Sequence, residues 1–213
     1  MSENEGSAGA GIAAAIAPHL PKTARERGRV APAKLAHVVR RTARFAEMVE
    51  WYQIVLEAEV VYRADALAFM TYDEEHHRVA IIHIPELPDR NEMAAGTDHV
   101  AFTYDDLDAL LKTYRRLAAS GIRPFWSIHH GATLSSYYKD PDGNSLELQI
   151  DCFRDAAAVN DWLGSGAFAS NPVGVIVDFD DLCARHEAGE PEARLLEQPP
   201  LPEGTTPFDM LRF

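Results

Sequence analysis

The feature that most narrows what this chain can become is an internal repeat with an offset of 62 residues. Residues 34–40 (KLAHVVR) and 97–103 (TDHVAFT) each set a histidine directly before a valine, His37 in the first copy and His99 in the second. The same offset pairs Phe45 with Leu107, Met48 with Leu110, Val49 with Leu111, Tyr52 with Tyr114 and Val55 with Leu117. Apolar meets apolar at i, i+3, i+4, i+7 and i+10, the stripe an amphipathic helix lays against a sheet. Thr42 is the expected start of the first helix and Asp105 or Asp106 of the second, which should stop at Gly121. Three β-rich runs follow each helix: residues 60–63, 67–72 and 78–84, then 124–128, 134–139 and 145–150, the last two joined by the tight-turn tetrapeptide Asp140-Pro141-Asp142-Gly143. The unit is βαβββ, present twice. A half-open sheet of this size cannot bury both faces alone, so an α+β fold is predicted in which the two modules pair around a shared metal-binding cleft.

Residues 1–32 are rich in Ala and Gly, broken by Pro18, Pro21 and Pro32, and are predicted to form an N-terminal extension. The repeat occupies residues 33–152, with modules at about 34–86 and 97–151, and residues 153–213 form a C-terminal extension with helical candidates at 156–163 and 180–186. With 33 acidic against 20 basic side chains the net charge is −13, a field that repels phosphate backbones and anionic lipid. Nucleic-acid and membrane partners are therefore not expected. The weakly apolar run 11–17 falls far short of the ~20 residues a bilayer span needs, and Glu3 and Glu5 stand where a secretory leader would be basic. Two cysteines, Cys152 and Cys183, make neither a disulfide framework nor a thiolate zinc cage, which fits a reducing cytoplasm. Exposed strand edges and the long tail predict a homo-oligomer.

His37 and His99 hold equivalent places in their modules, where a pseudo-twofold axis can bring them to one ion. Glu147, between Leu146 and Leu148, lies by alternation on the face opposite those leucines. One strand histidine by itself is more often a hydrogen-bonded structural residue than a ligand. Matched placement of two, with a carboxylate on the closing strand, favours a metal centre. Two imidazoles and one carboxylate leave three positions open on an octahedral ion, the donor set of non-haem Fe(II) oxygenases, and Mn(II) suits it too.

Ala36-His37-Val38-Val39, Asp98-His99-Val100-Ala101-Phe102 and the run from Tyr137 through Asp140-Pro141-Asp142-Gly143-Asn144 to Glu147 resemble the vicinal oxygen chelate superfamily. Within it the chain is similar to the type I extradiol dioxygenases, which open aromatic diols with O2. The resemblance implies Fe(II) held by His37, His99 and Glu147, an acid–base histidine at His77 in the pair His76-His77, and a substrate-contacting tyrosine at Tyr137. It also implies a further site histidine at His129 or His130, with the spacing off by about one residue. Phe125, Trp126 and Trp51 are expected to be packing residues. His83 shares the alternation of His77 but lies six residues along, roughly 20 Å at strand rise. Two rival functions stay open. A glyoxalase-like isomerase or thiol transferase needs a fourth ligand on the first module's last strand, where Ala80, Ile81 or Pro85 falls, with Glu86 next to the last of these. A metal-free module that binds an aromatic drug needs no ligand trio.

Overall fold

The computed structural model describes residues 22–212 except Met93, so most of the expected N-terminal extension lies outside the described residues. The first module runs β1 (Val38–Thr42), α1 (Phe45–Leu56), β2 (Glu59–Ala64), β3 (Leu67–Thr71), β4 (Val79–His83). The second runs β5 (His99–Thr103), α2 (Leu107–Ala119), β6 (Trp126–His129), β7 (Thr133–Lys139), β8 (Ser145–Asp151). Each is βαβββ, as the repeat predicts. The strand orders are β1-β4-β3-β2 and β5-β8-β7-β6, with β1/β4 and β5/β8 parallel and the rest antiparallel. The second sheet is extended beyond β6 by β9 (Val175–Ile176), which pairs with it. The C-terminal extension also holds α3 (Ala156–Gly164), α4 (Ala167–Ser170), α5 (Phe179–Glu187), α6 (Glu192–Leu195) and a 3-10 turn at Pro207–Met210.

All ten repeat-paired helix residues are buried. They join Ala68, Met70, Val79 and Ile81 of the first sheet and Leu134, Tyr138, Leu146 and Leu148 of the second in one core. The two helices thus lie inside the protein, and the helix-side faces of both sheets are consumed there. Asp106 caps α2 by accepting from Ala109 N at 2.8 Å. Thr42 does not cap α1: the helix starts three residues later, and Thr42 Oγ1 instead accepts from Arg44 N at 2.7 Å, closing the strand-to-helix turn.

Polar ties cross between the modules. Arg40 Nε donates to Tyr52 Oη, which donates to Asp140 Oδ2, each at 3.1 Å. Arg44 pairs with Asp142 at 2.9 Å. Asp140 also accepts from Asn144 N and Nδ2, so the 140–144 turn is fixed at the point where it receives the first module's helix.

Register makes the two modules comparable residue by residue. Val39 pairs with Ala80 across β1/β4, and its counterpart Ala101 pairs with Glu147 across β5/β8. Ala80 is therefore the first-module equivalent of Glu147. Phe69 faces Ala80 as Tyr137 faces Glu147, so Phe69 is the equivalent of Tyr137.

Candidate active site

The face of the second sheet that points away from the helices carries the chemistry. β5 places His99 and β8 places Glu147 on that face, because Val100 and Leu146 are neighbours in register and alternation turns the flanking residues outward. His99 Nε2 lies 3.0 Å from Glu147 Oε2. His99 Nδ1 lies 2.7 Å from Asp98 Oδ2, so each ring nitrogen of His99 faces a carboxylate oxygen; a ring that carries its proton on Nδ1, toward Asp98, presents the Nε2 lone pair beside the buried Glu147.

Tyr137, on β7 directly across from Glu147, packs edge-on against His99 at 5.3 Å between ring centres. Its hydroxyl is 3.0 Å from His130 Nε2. His130 Nδ1 meets the Val173 carbonyl at 2.5 Å and must donate to it, so in the neutral ring Nε2 accepts from the Tyr137 hydroxyl. Burial lowers the His130 pKa and so favours the neutral ring. Burial, then the neighbouring Glu147 carboxylate, pushes the Tyr137 phenol up, so it remains a hydroxyl. Gly131 makes this placement possible: it sits at φ +93°, and a Cβ there would lie 2.3 Å from the Trp162 ring.

Of the two adjacent histidines, His130 is the one that reaches Tyr137. His129 turns to the other side of β6, where its Nε2 donates to the Leu196 carbonyl at 2.9 Å and its Nδ1 accepts from Gly131 N at 3.1 Å. There it lines a cavity of about 370 Å³ under the C-terminal segment.

His37 and His77 lie on the first sheet. Their rings are 4.4 Å apart, His77 stacks on Phe69 at 4.4 Å, and Phe69 touches Tyr62 at 5.7 Å. His76 adjoins His77 through their Nδ1 atoms. Burial and the nearby His37 lower the His77 pKa. The structure thus brings His99, Glu147, Tyr137 and His130 together in one place and His37 with His77 in another. Among the described residues no group of three or more His, Cys, Asp or Glu side chains is gathered to hold a metal ion.

Phe125 and Trp126 are packing residues, as expected, set against the cluster of Ile128, Tyr137, Val173 and Met210. Trp126 stacks on Tyr137 at 4.8 Å and Phe125 lies 6.3 Å from the same ring. They line a cavity of about 430 Å³ with Tyr137, Arg90, Lys139, Leu211 and Arg212. Trp126 Nε1 donates to the Met210 carbonyl, so the C-terminal segment closes one side of the cavity. Alternation puts Trp126, Ile128 and His130 on one face, and Trp126 registers with Tyr137. Trp51 also packs against the core, as expected, and His83 stacks on Phe45.

The sequence model of the Glyoxalase/Bleomycin resistance protein/Dioxygenase superfamily matches residues 34–148. The chain is 46% identical over 163 residues to biphenyl-2,3-diol 1,2-dioxygenase 2 of Rhodococcus globerulus, covering 76% of this chain and 86% of that one. Identity to biphenyl-2,3-diol 1,2-dioxygenase 3 of the same organism is 40%, with the same coverage. A lactoylglutathione lyase of Neisseria meningitidis is 26% identical over 54% of this chain and 88% of its own length. Among solved structures, a lactoylglutathione lyase from Agrobacterium tumefaciens aligns with a TM-score of 0.46 at 21% identity, covering 56% of this chain and 94% of its own. A family match over more than half the chain and two dioxygenase likenesses over most of their length agree with the paired βαβββ topology: the protein belongs to the Glyoxalase/Bleomycin resistance protein/Dioxygenase superfamily, on its extradiol dioxygenase branch.

Proposed function

We propose that this protein opens the ring of a catechol-type diol with molecular oxygen, using Fe(II) held by His37, His99 and Glu147, with Mn(II) as the other ion the donors suit. The observation that carries this is Ala80. It occupies the register position of Glu147 in the first module, so a fourth protein ligand is missing where a glyoxalase-like reaction would need one. When bound by three protein donors, the ion would supply Lewis-acid activation of the diol and of O2.

The chain's own residues supply the rest. Asp98 holds the His99 ring with Nε2 free to ligate. Tyr137 places a hydroxyl beside Glu147, where the substrate oxygens arrive, and His130 fixes that hydroxyl's direction. His77, neutral near pH 7, takes the proton of a diol hydroxyl and returns it as the ring opens. Trp126 and Phe125 exclude water and offer ring faces to an aromatic substrate. Both atoms of O2 enter the product, a ring-opened semialdehyde or keto acid, so the reaction balances without an external reductant. The relatives' names and the aromatic cavity favour a diol as large as biphenyl-2,3-diol. The extensions at 1–32 and 153–213 flank a catalytic core at 33–152. With Cys152 and Cys183 both free thiols, the reducing cytoplasm is the assigned setting.

The test is anaerobic loading with Fe(II), addition of biphenyl-2,3-diol or catechol, then admission of oxygen-18 gas. A yellow product carrying two labelled atoms is expected. No labelled product from either diol, with isomerisation of a glutathione–methylglyoxal adduct instead, would overturn the assignment.

A further inference from the structure

The cavity beside Tyr137 carries more positive charge than ring opening uses. Arg90, Lys139 and Arg212 line it together with Glu92 and Asp98. Both acids are engaged: Glu92 pairs with Lys139 at 3.1 Å, and Asp98 is turned to His99 at 2.7 Å. Arg90 meets uncharged acceptors, the carbonyls of Gly143 at 3.0 Å and Thr97 at 3.3 Å and the side-chain oxygen of Asn144 at 3.5 Å. Arg212 meets the carbonyls of Asp209 at 3.1 Å and Leu211 at 2.6 Å. Among the described residues no carboxylate pairs with either guanidinium. In a chain of net charge −13, two such arginines reverse the surrounding field at the mouth of an aromatic cavity.

Strand geometry places this charge relative to the reacting groups. Across β7/β8 Tyr137 faces Glu147 and Lys139 faces Ser145, so the Lys139–Ser145 row lies two residues along the same face. At strand rise that is about 7 Å. Arg90 is held at the same end, because Gly143 and Asn144, whose oxygens it grips, immediately precede Ser145. Rings fill the interval: Trp126 stacks on Tyr137 at 4.8 Å, and Lys139 Nζ lies 5.2 Å over the Phe125 ring. From one end to the other the cavity therefore offers a phenol and a carboxylate, then aromatic faces, then cations. A benzene ring with a short side chain spans that distance.

We propose that the diol this protein takes carries a negatively charged group, a carboxylate or its equivalent, on the part of the molecule away from its two hydroxyls, and that Arg90, with Lys139 and Arg212, selects it. The inference rests on the ring-cleaving reading above. A guanidinium has five N–H donors in a planar fork that matches a carboxylate, and the three acceptors around Arg90 leave donors over. A wholly apolar substituent would gain from Trp126 and Phe125 but would strip water from the half-buried Arg90 and give it no partner.

The test compares catechols bearing a propionate at ring position 3 or 4 with their primary amides, which match them in size and carry no charge. With Fe(II)-loaded protein, kcat/KM should favour the acid by roughly 10- to 100-fold, the worth of a charge-assisted hydrogen bond. The preference should shrink as salt is raised. In Arg90→Gln and in Arg212→Gln the acid-to-amide ratio should fall toward one, while Arg90→Lys should keep part of it; Arg212→Gln serves alone should the loss of Arg90 disturb the 143–144 turn. Calorimetric titration of metal-free protein with 3-phenylpropionate and 3-phenylpropionamide reads the charge preference without turnover, and the acid should bind more tightly. Equal kcat/KM for acid and amide, or a preference unchanged in both glutamine variants, would overturn the anionic subsite and leave ring cleavage intact. Cleavage of neither diol would overturn the dioxygenase reading, and the titration then decides the subsite by itself: tighter binding of the acid upholds it, and equal or no binding removes it.

Discussion

Replacing Tyr137 with Phe isolates one hydroxyl in the candidate site. The phenylalanine keeps the ring that stacks on Trp126 at 4.8 Å and packs against His99, so little contact area is lost. What goes is the donor to His130 Nε2, 3.0 Å away, while the other ring nitrogen stays tied to the Val173 carbonyl. A largely buried acceptor left unpaired costs about 1–3 kcal/mol. In a chain of 213 residues that corresponds to a fall in Tm of roughly 2–12 °C. The assay is thermal unfolding of metal-free protein for Tyr137→Phe, His130→Leu and the double variant, which separates the hydrogen bond from each residue's other contacts. Directly bonded neighbours should show a coupling of about 0.5–3 kcal/mol. With Tyr137 in the substrate-contacting role proposed above, steady-state kinetics with biphenyl-2,3-diol should show kcat down by roughly 100-fold or more. A coupling within about 0.3 kcal/mol of zero would refute the tautomer argument, because additivity means the two side chains do not share a proton.

Ala80→Glu places a carboxylate at the register position of Glu147 in the first module; iron content should persist while diol cleavage falls by about 100-fold or more, because an open position is filled. Tyr52→Phe removes the bridge between Arg40 and the buried Asp140, and urea unfolding should show a loss of about 1–3 kcal/mol. His129 and His130 both have pKa values lowered from 6.5 by burial, so between 6.5 and the lower folded values the unfolded chain binds more protons than the folded one. Stability should therefore be level above that window and fall as pH drops through it, with a shallower fall in His129→Gln; urea midpoints measured from pH 8 to pH 5 check this.

The helices were legible because their pattern is local: five apolar positions at helical spacing, repeated at a fixed offset, leave one face to bury. The start of α1 was misplaced because Thr42 has the chemistry of a cap but sits in the strand, where its hydroxyl serves the turn instead. The partner of Glu147 could not be counted from the sequence. The module offset is 62 at the first strands but 67 at the last, where Val79 and Leu146 are equivalent, because the intervening turns differ in length. Only strand register reveals that Ala80 is the matching residue. Phe125 and Trp126 were legible as packing residues, since both pack against Ile128, Tyr137, Val173 and Met210, and Trp126 Nε1 is held by the Met210 carbonyl. The separation of His37 from His99 and Glu147 was the least legible feature, since a repeat says which positions are equivalent and is silent on how the modules face each other.

The register comparison carries one step further. At the two positions where the second module offers Glu147 and Tyr137, the first offers Ala80 and Phe69. One copy of the duplicated unit carries a carboxylate and a phenol, able to bind a cation and hold a proton, and the other has a methyl group and a phenyl ring. This asymmetry makes the outer face of the second sheet polar and that of the first apolar, where Ala80 and Phe69 stand beside the His37–His77 stack. A planar aromatic diol suits such a space: its oxygens need the ion, its ring needs an apolar face, and its departing proton needs a neutral imidazole at the edge. A second carboxylate at position 80 would make four protein donors and leave two positions on an octahedral ion, one too few for two diol oxygens and O2 together, so under the proposed function the alanine there is what suits the duplicated unit to oxygen chemistry.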